Sequence, residues 1–311
     1  MKYYSHILLN LFFLSIILSA DFPDKTQLIR KNSVAKTIGR EDRKDGVHSG
    51  NRVLTRIYNH GAIGDLSSSF SGVYPIGSGH AYIFEFSPII AASVVDANGF
   101  RKHIISDGTI GLTDNSPEGT PWGFEPLTGY ANPNQENLAM SDNENSWPDT
   151  WPNRASDWDG EWNGQYGKYV RADQESYFVV DDYYNSEFEF WPDENDIPQD
   201  TTAAPDNHRR GLGIQLDVRG YQWNHPAAED ILIVTYWITN VGTSVLDSVV
   251  FGMYGDADVG GPSSFSDDDA WFDTENDMVF QWDHDNWSTS YGGFKPAYFG
   301  WSFLESPGNP N

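Results

Sequence analysis

The chain has 311 residues, no cysteine, 45 Asp and Glu against 19 Lys and Arg, and a formal charge of −26. The absence of thiols excludes disulfides, thiolate metal centres, a cysteine nucleophile and a lipid anchor through cysteine. Residues 57–311 hold 9 basic and 40 acidic groups, a formal charge of −31, and such a body repels nucleic acid and anionic membrane.

Lys2, the apolar stretch Ile7 to Leu18 and the small residues Ser19 and Ala20 predict a signal peptide over 1–20. The apolar run is too short and too interrupted, by Asn10 and Ser15, to read as a membrane span. A flexible leader is expected over 21–48. From Asn51 the texture becomes short apolar runs punctuated by Gly, Pro, Asn and Asp, which predicts strands in a β-rich region over 49–190. Val53–Tyr58 is one strand. Ala81–Phe86 is a second, expected to break at Pro88. Ile89–Val95 and Phe100–Ser106 flank Asn98-Gly99, a strong hairpin signal.

A long loop insert rich in Pro, Asn, Asp, Gly and Trp is expected over 113–167, and 191–210 reads as a polar connection. The region 211–311 reads as a β-sandwich. Leu212, Ile214, Leu216 and Val218 alternate with Gly213, Gln215, Asp217 and Arg219, predicting one buried and one wet face. Ile231–Ile238 is apolar on both faces and is expected to be central, pairing antiparallel with Leu246–Tyr254. The linker-like composition after Leu304 suggests the front part of a longer protein. The fold class expected is all-β, an antiparallel sandwich, single and elaborated or two abutting.

The sharpest chemical signal begins where the Leu246–Tyr254 strand stops. Asp256, Asp258, Asp267, Asp268, Asp269, Asp273 and Asp277 crowd one run, and no Lys or Arg occurs between Arg219 and Lys295. Converging carboxylates without a basic partner repel one another, and a hard divalent cation relieves that, so these residues are candidate ligands for Ca²⁺. Counted as a twelve-residue loop, the run has Gly260 at position five and strand-like flanks, which excludes an EF-hand. The competing reading is a solvated acidic loop. The interleaved Phe265, Trp271 and Phe272 argue against that, because such rings favour burial.

The insert offers a second constellation. Trp147, Trp151, Trp158, Trp162 and Tyr166 lie among Asp, Asn and Gln, the chemistry that stacks and hydrogen-bonds sugar rings; the alternative is that these rings clamp the insert onto the sandwich. No pair of acids stands out as a general acid and base, Ser78 lacks a nucleophile-elbow context, and the histidines lack zinc spacing. No catalytic residue is assigned.

The stretches Asn59-His60-Gly61-Ala62-Ile63-Gly64, Gly72-Val73-Tyr74-Pro75 and Gly77-Ser78-Gly79-His80-Ala81-Tyr82-Ile83-Phe84 resemble the opening of large exported proteins of environmental Gram-negative bacteria. Thr235–Gly242 and the acidic Asp256-x-Asp258-Val259-Gly260 and Asp267-Asp268 are similar to their β-sandwich segment, so the likeness spans roughly residues 50–310. The resemblance implies export and β architecture and carries no catalytic residue. The function expected is a secreted or cell-surface structural or adhesive module stabilised by Ca²⁺. The alternative is a carbohydrate-binding module or glycoside hydrolase using the Trp-rich insert. An extracellular glycan or surface protein is the expected partner.

Overall fold

The computed structural model describes residues 42–65, 69–95, 99–109, 123–183, 185, 211–242 and 245–305. The expected signal peptide, most of the expected leader, Asn98 of the hairpin turn and the 191–210 connection lie outside these residues. Within them, β1 (Asp45–His48) and β2 (Thr55–Tyr58) form a ribbon, followed by β3 (Ile83–Val95) and β4 (Arg101–Asp107). The two-residue strands β5 (Glu125–Pro126) and β6 (Ala139–Met140) precede β7 (Gln174–Asp181), β8 (Ile214–Gln222) and β9 (Ile233–Asn240). Then come β10 (Asp247–Ala257), β11 (Asp268–Asp273), β12 (Met278–Asp283) and β13 (Phe299–Ser302).

The chain is all-β, with every strand pair antiparallel. One layer is ordered β10-β3-β4, a second β5-β7-β8-β9, and a third, smaller sheet β11-β12-β13. Between the first two layers lies one core. Phe86, Ile90, Ala92, Val94 and Ile104 meet Phe178, Val180, Leu216, Val218, Val234 and Tyr236 there. The third sheet joins through β13, whose Phe299 and Trp301 rings lie 5.2 and 4.9 Å from Phe86.

Four expectations about the strands need correction, and a fifth, burial of Phe265, Trp271 and Phe272, fails because each ring is more than half exposed. β3 runs straight through Pro88, which pairs with Met253. The Pro88 carbonyl accepts from Gly108 on the β4 side, just past the last β3–β4 pair, so its missing N–H faces no ladder acceptor. Residues 45–48 of the expected leader form β1, fixed by the buried His48, whose Nε2 lies 2.9 Å from Ser176 Oγ. β9 is an edge strand among the described residues, not a central one, and it does not pair with β10. The connection after Asn240 crosses from one layer to the other, and Tyr236 of β9 meets Phe251 of β10 ring to ring, 5.2 Å apart, across the core.

The fourth correction concerns β8. Its expected wet face is buried too: Gln215, Arg219 and Tyr221 are each less than one-tenth exposed. The Trp-rich insert covers it. Trp151, Trp162, Tyr130, Leu127 and Ala139 form a second core against Tyr177 and Val179 of β7. Polar groups under this cover find partners. The Arg219 guanidinium stacks 3.8 Å from the Tyr177 ring and reaches the Asn163 side chain, while the Tyr177 hydroxyl donates to Asp217 at 2.7 Å. Trp162 donates to Glu175 at 2.7 Å.

Asp182, fully buried at the end of β7, joins the sandwich at its other margin. Its carboxylate accepts from the backbone of Leu212 (2.5 Å), Gly213 (3.1 Å) and Ile214 (2.9 Å) and from Ser106 (2.8 Å). Burial pushes its pKa up to about 7, opposed by these same hydrogen bonds. Gly211 (φ +81°) sits so close that a Cβ would meet the Asp182 carbonyl at 2.5 Å. At the chain's opposite side, Asn51 donates to Ile231 (2.8 Å) and Gln222 bridges to Asn51 (2.9 Å).

The insert's burial yields a stability prediction. Trp162→Ala removes a ring that is 2% exposed and is expected to cost about 3–5 kcal/mol. Trp158→Ala, at a partly exposed ring, costs clearly less. Urea unfolding of both variants checks this, and equal losses would contradict the packing described.

Candidate metal centre

The acidic run is folded by three local devices. Gly260 (φ +91°) and Gly261 (φ +86°) turn the chain off the end of β10 in a conformation that L side chains rarely adopt. A Cβ at Gly260 would meet the Ser288 Cβ at 2.9 Å, and one at Gly261 the Tyr291 ring at 2.6 Å. A short 3-10 turn, Phe265–Asp267, then leads into β11. The β11–β12 register sets Asp268 directly opposite Asp283.

Like charges directly across an antiparallel pair are destabilising, and more acid surrounds this pair. Ligand oxygens of Asp267, Asp283 and Asp285 lie within 4.8 Å of one another. Asp258 is 8% exposed, and no donor reaches its carboxylate among the described residues. Asp268 Oδ2 accepts from Val259 N at 2.8 Å, while its Oδ1 is buried without any partner. Asp283 is better satisfied, by Trp287 N at 2.7 Å and Ser264 Oγ at 3.0 Å. The orphaned Oδ1 of Asp268 is the unusual feature, because buried carboxylate oxygens otherwise find donors.

Proton affinity follows from this crowding. Burial pushes Asp258 up to about 6, and neighbouring Asp256 adds to the shift. Burial also pushes Asp268 up to about 7; the Val259 amide works against this, while Asp283, Asp258 and Asp267 work with it. Asp283 is raised by burial as well. Oxygen donors that hold protons for want of a counter-charge form a donor set suited to a hard cation.

The seven sequence candidates therefore divide. Asp258, Asp267 and Asp268 come together, and Asp256 lies close enough to act on Asp258. Asp269 points to the opposite face of β11 by strand alternation and pairs with His284 at 2.7 Å. Asp273 and Asp277 sit at the far end of the hairpin, about 17 Å along six strand residues. Asp273 caps the turn there by accepting from Glu275 and Asn276, and Asp277 takes a positive φ of 46°. On sequence, Asp283-His284-Asp285-Asn286 reads as either a second ion site or a plain loop; the β11–β12 register brings Asp283 opposite Asp268, and the turn after β12 brings Asp285 to Asp267 and Asp283.

The glycan candidates of the insert also divide. Trp151 and Trp162 are core, Trp147 packs 5.3 Å from Trp162, and Trp158 is covered by Arg154 at 4.2 Å. Tyr166 is exposed beside Arg171. The four tryptophans thus pack the insert onto the sheet, and Tyr166 does not. No family model, curated protein or solved structure matches the chain.

The raised pKa values set a pH dependence. Between about pH 4 and 7 the folded, metal-free chain keeps protons on Asp258 and Asp268 that the unfolded chain has released, so these groups make stability fall as pH rises. Buried His48, pushed down to about 3, acts in the opposite direction. The difference between the parent and Asp268→Asn isolates the site. In EDTA, Asp268→Asn is expected to gain stability over the parent at pH 8 and to lose that gain at pH 5. Thermal melts at both values check this; an identical difference at both would refute the assignment.

Proposed function

We propose that this chain is a calcium-stabilised structural or adhesive β-sandwich module of an exported or cell-surface protein. The observation that carries the reading is the buried Asp268 Oδ1 without a donor, with Asp283 fixed opposite it by strand register and Asp258 close enough to act on it. Asp258, Asp267, Asp268, Asp283 and Asp285 would supply the ligands, and the ion would supply the positive charge that the sequence withholds between Arg219 and Lys295. Export is supported by the targeting pattern of the first twenty residues. Extracellular calcium is abundant enough to fill even weak oxygen sites.

Millimolar Ca²⁺ is expected to raise the melting midpoint measured in EDTA. At ten times Kd the gain is about 1.4 kcal/mol, or roughly 2–4 °C for a chain of this size. Asp268→Asn and Asp258→Asn should abolish the response, whereas Asp273→Asn, at the far turn, should retain it. A midpoint indifferent to Ca²⁺ in the parent would end the proposal.

A further inference from the structure

We propose that a cavity between the Tyr74–His80 turn and the 294–298 segment binds a pyranose unit of an extracellular glycan. The unit would stack on the cavity's aromatic walls and accept hydrogen bonds from Lys295 and Asn286. The cavity has a volume of about 310 Å³, with Tyr74, His80, Phe294 and Tyr298 among its walls. That is a small-ligand size, and few polar groups among apolar walls is the usual composition of such sites.

The walls are built before any ligand arrives. The 74–80 turn is closed by the Tyr74 amide donating to the His80 carbonyl at 3.0 Å. His80 stacks on Phe294 with centroids 3.7 Å apart, and Tyr82 meets Phe294 edge-on. The Tyr82 hydroxyl accepts from Ala297 N at 3.0 Å, pinning the opposite wall. Tyr298 stacks on Trp282 at 5.9 Å. Rings held in place this way lose little freedom when a flat ligand covers them.

The polar groups are donors in an acceptor-rich region. Lys295 is the only Lys or Arg after Arg219, yet among the described residues it makes no ion pair. Asn286 adopts φ +59°, its amide donating to the Asp283 carbonyl at 3.2 Å, and it also lines the cavity. Donors between aromatic faces suit a pyranose, which offers a C–H face together with hydroxyl, ring or carboxylate oxygens. A cationic ligand would oppose Lys295, and a purely apolar one would leave both donors unused.

The surface also continues past one sugar unit. Phe299 and Trp301 face the core, so Tyr298 and Gly300 alternate outward, and cross-strand pairing puts Trp271 and Phe280 on the same outer face as Gly300. Trp282 lies two residues from Phe280 on that face and 5.5 Å from its ring. Trp271 is 64% exposed. Tyr298 thus ends a row of rings along which further units of a chain would lie.

The cavity stands independently of the calcium reading, although Asn286 belongs to the turn that Asp283 holds. The test is binding of the full chain to cellulose, chitin, xylan, laminarin, alginate and pectin, with Ca²⁺ and with EDTA. At least one is expected to bind. Tyr298→Ala and Lys295→Ala should weaken that binding, Tyr298→Ala by about tenfold or more, while Trp158→Ala on the insert leaves it unchanged. A stronger effect of Lys295→Ala on alginate or pectin than on the neutral glycans identifies a uronate. If Tyr298→Ala lowers the melting midpoint, exposed Lys295→Ala and Asn286→Ala decide. Binding that survives EDTA while Ca²⁺ leaves the midpoint unmoved keeps the cavity and removes the metal. The proposal is overturned if no glycan of the panel binds, if a peptide library is retained and no glycan is, or if both Lys295→Ala and Asn286→Ala bind like the parent.

Discussion

The register of the β11–β12 hairpin imposes the repulsion that organises the C-terminal part of this molecule. It sets Asp268 against Asp283 while Asp258 is held buried nearby at the end of β10. The strands cannot slide freely to relieve this, because a one-residue slip of β11 against β12 would turn every β11 side chain to the other face, exposed Trp271 included. Relief must come from protons or from a cation. The same turns that confine the acids shape the neighbouring cavity: Gly260 packs against Ser288 and Pro296, and the Asp283 turn carries Asn286. Acid cluster and aromatic cavity are two faces of one set of loops.

Elsewhere, buried polar groups do much of the fastening in a chain without cysteine. Asp182 gathers three consecutive backbone amides and Ser106. Glu125 holds Arg43 through two hydrogen bonds of 2.8 Å. Arg219 is sheltered between Tyr177 and Asn163. Each such group is costly to bury alone and well placed only when all its partners are present, so these pairs specify one arrangement of the layers.

Much of the fold was legible in local patterns. Alternation marked β8 and the Asn98-Gly99 signal marked the β3–β4 pairing, because side-chain period and turn chemistry are properties of neighbouring residues. What failed was long-range. Nothing in Gln215, Arg219 or Tyr221 announces that the insert will cover them, and the two-sided apolar pattern of β9 comes from Tyr236 packing on Phe251 at one face and Trp237 meeting the insert at the other, rather than from a central place in a sheet. Pro88 misled because its cost depends on whether a ladder acceptor faces it. At the acidic site, Asp258 and Asp268 were visible as charges without partners. Asp283 and Asp285 were visible only as a separate acidic turn, since strand pairing for Asp283 and the turn after β12 for Asp285 bring them to the others. The Trp-rich insert was legible as aromatic and not as buried, because exposure is decided by what lies underneath.

The anchoring of β1 bears on the order in which the chain assembles. His48 contacts Ser176, Ser49 and Gly50 donate to Gln174 and Gln222, and Asn51 reaches Ile231. These partners lie more than one hundred positions downstream. While the polypeptide emerges from its N-terminus, this early segment has no native destination for its polar groups until the β7–β9 layer has been made. Closing loops of that length is slow, so the late docking of this early segment is written into the topology.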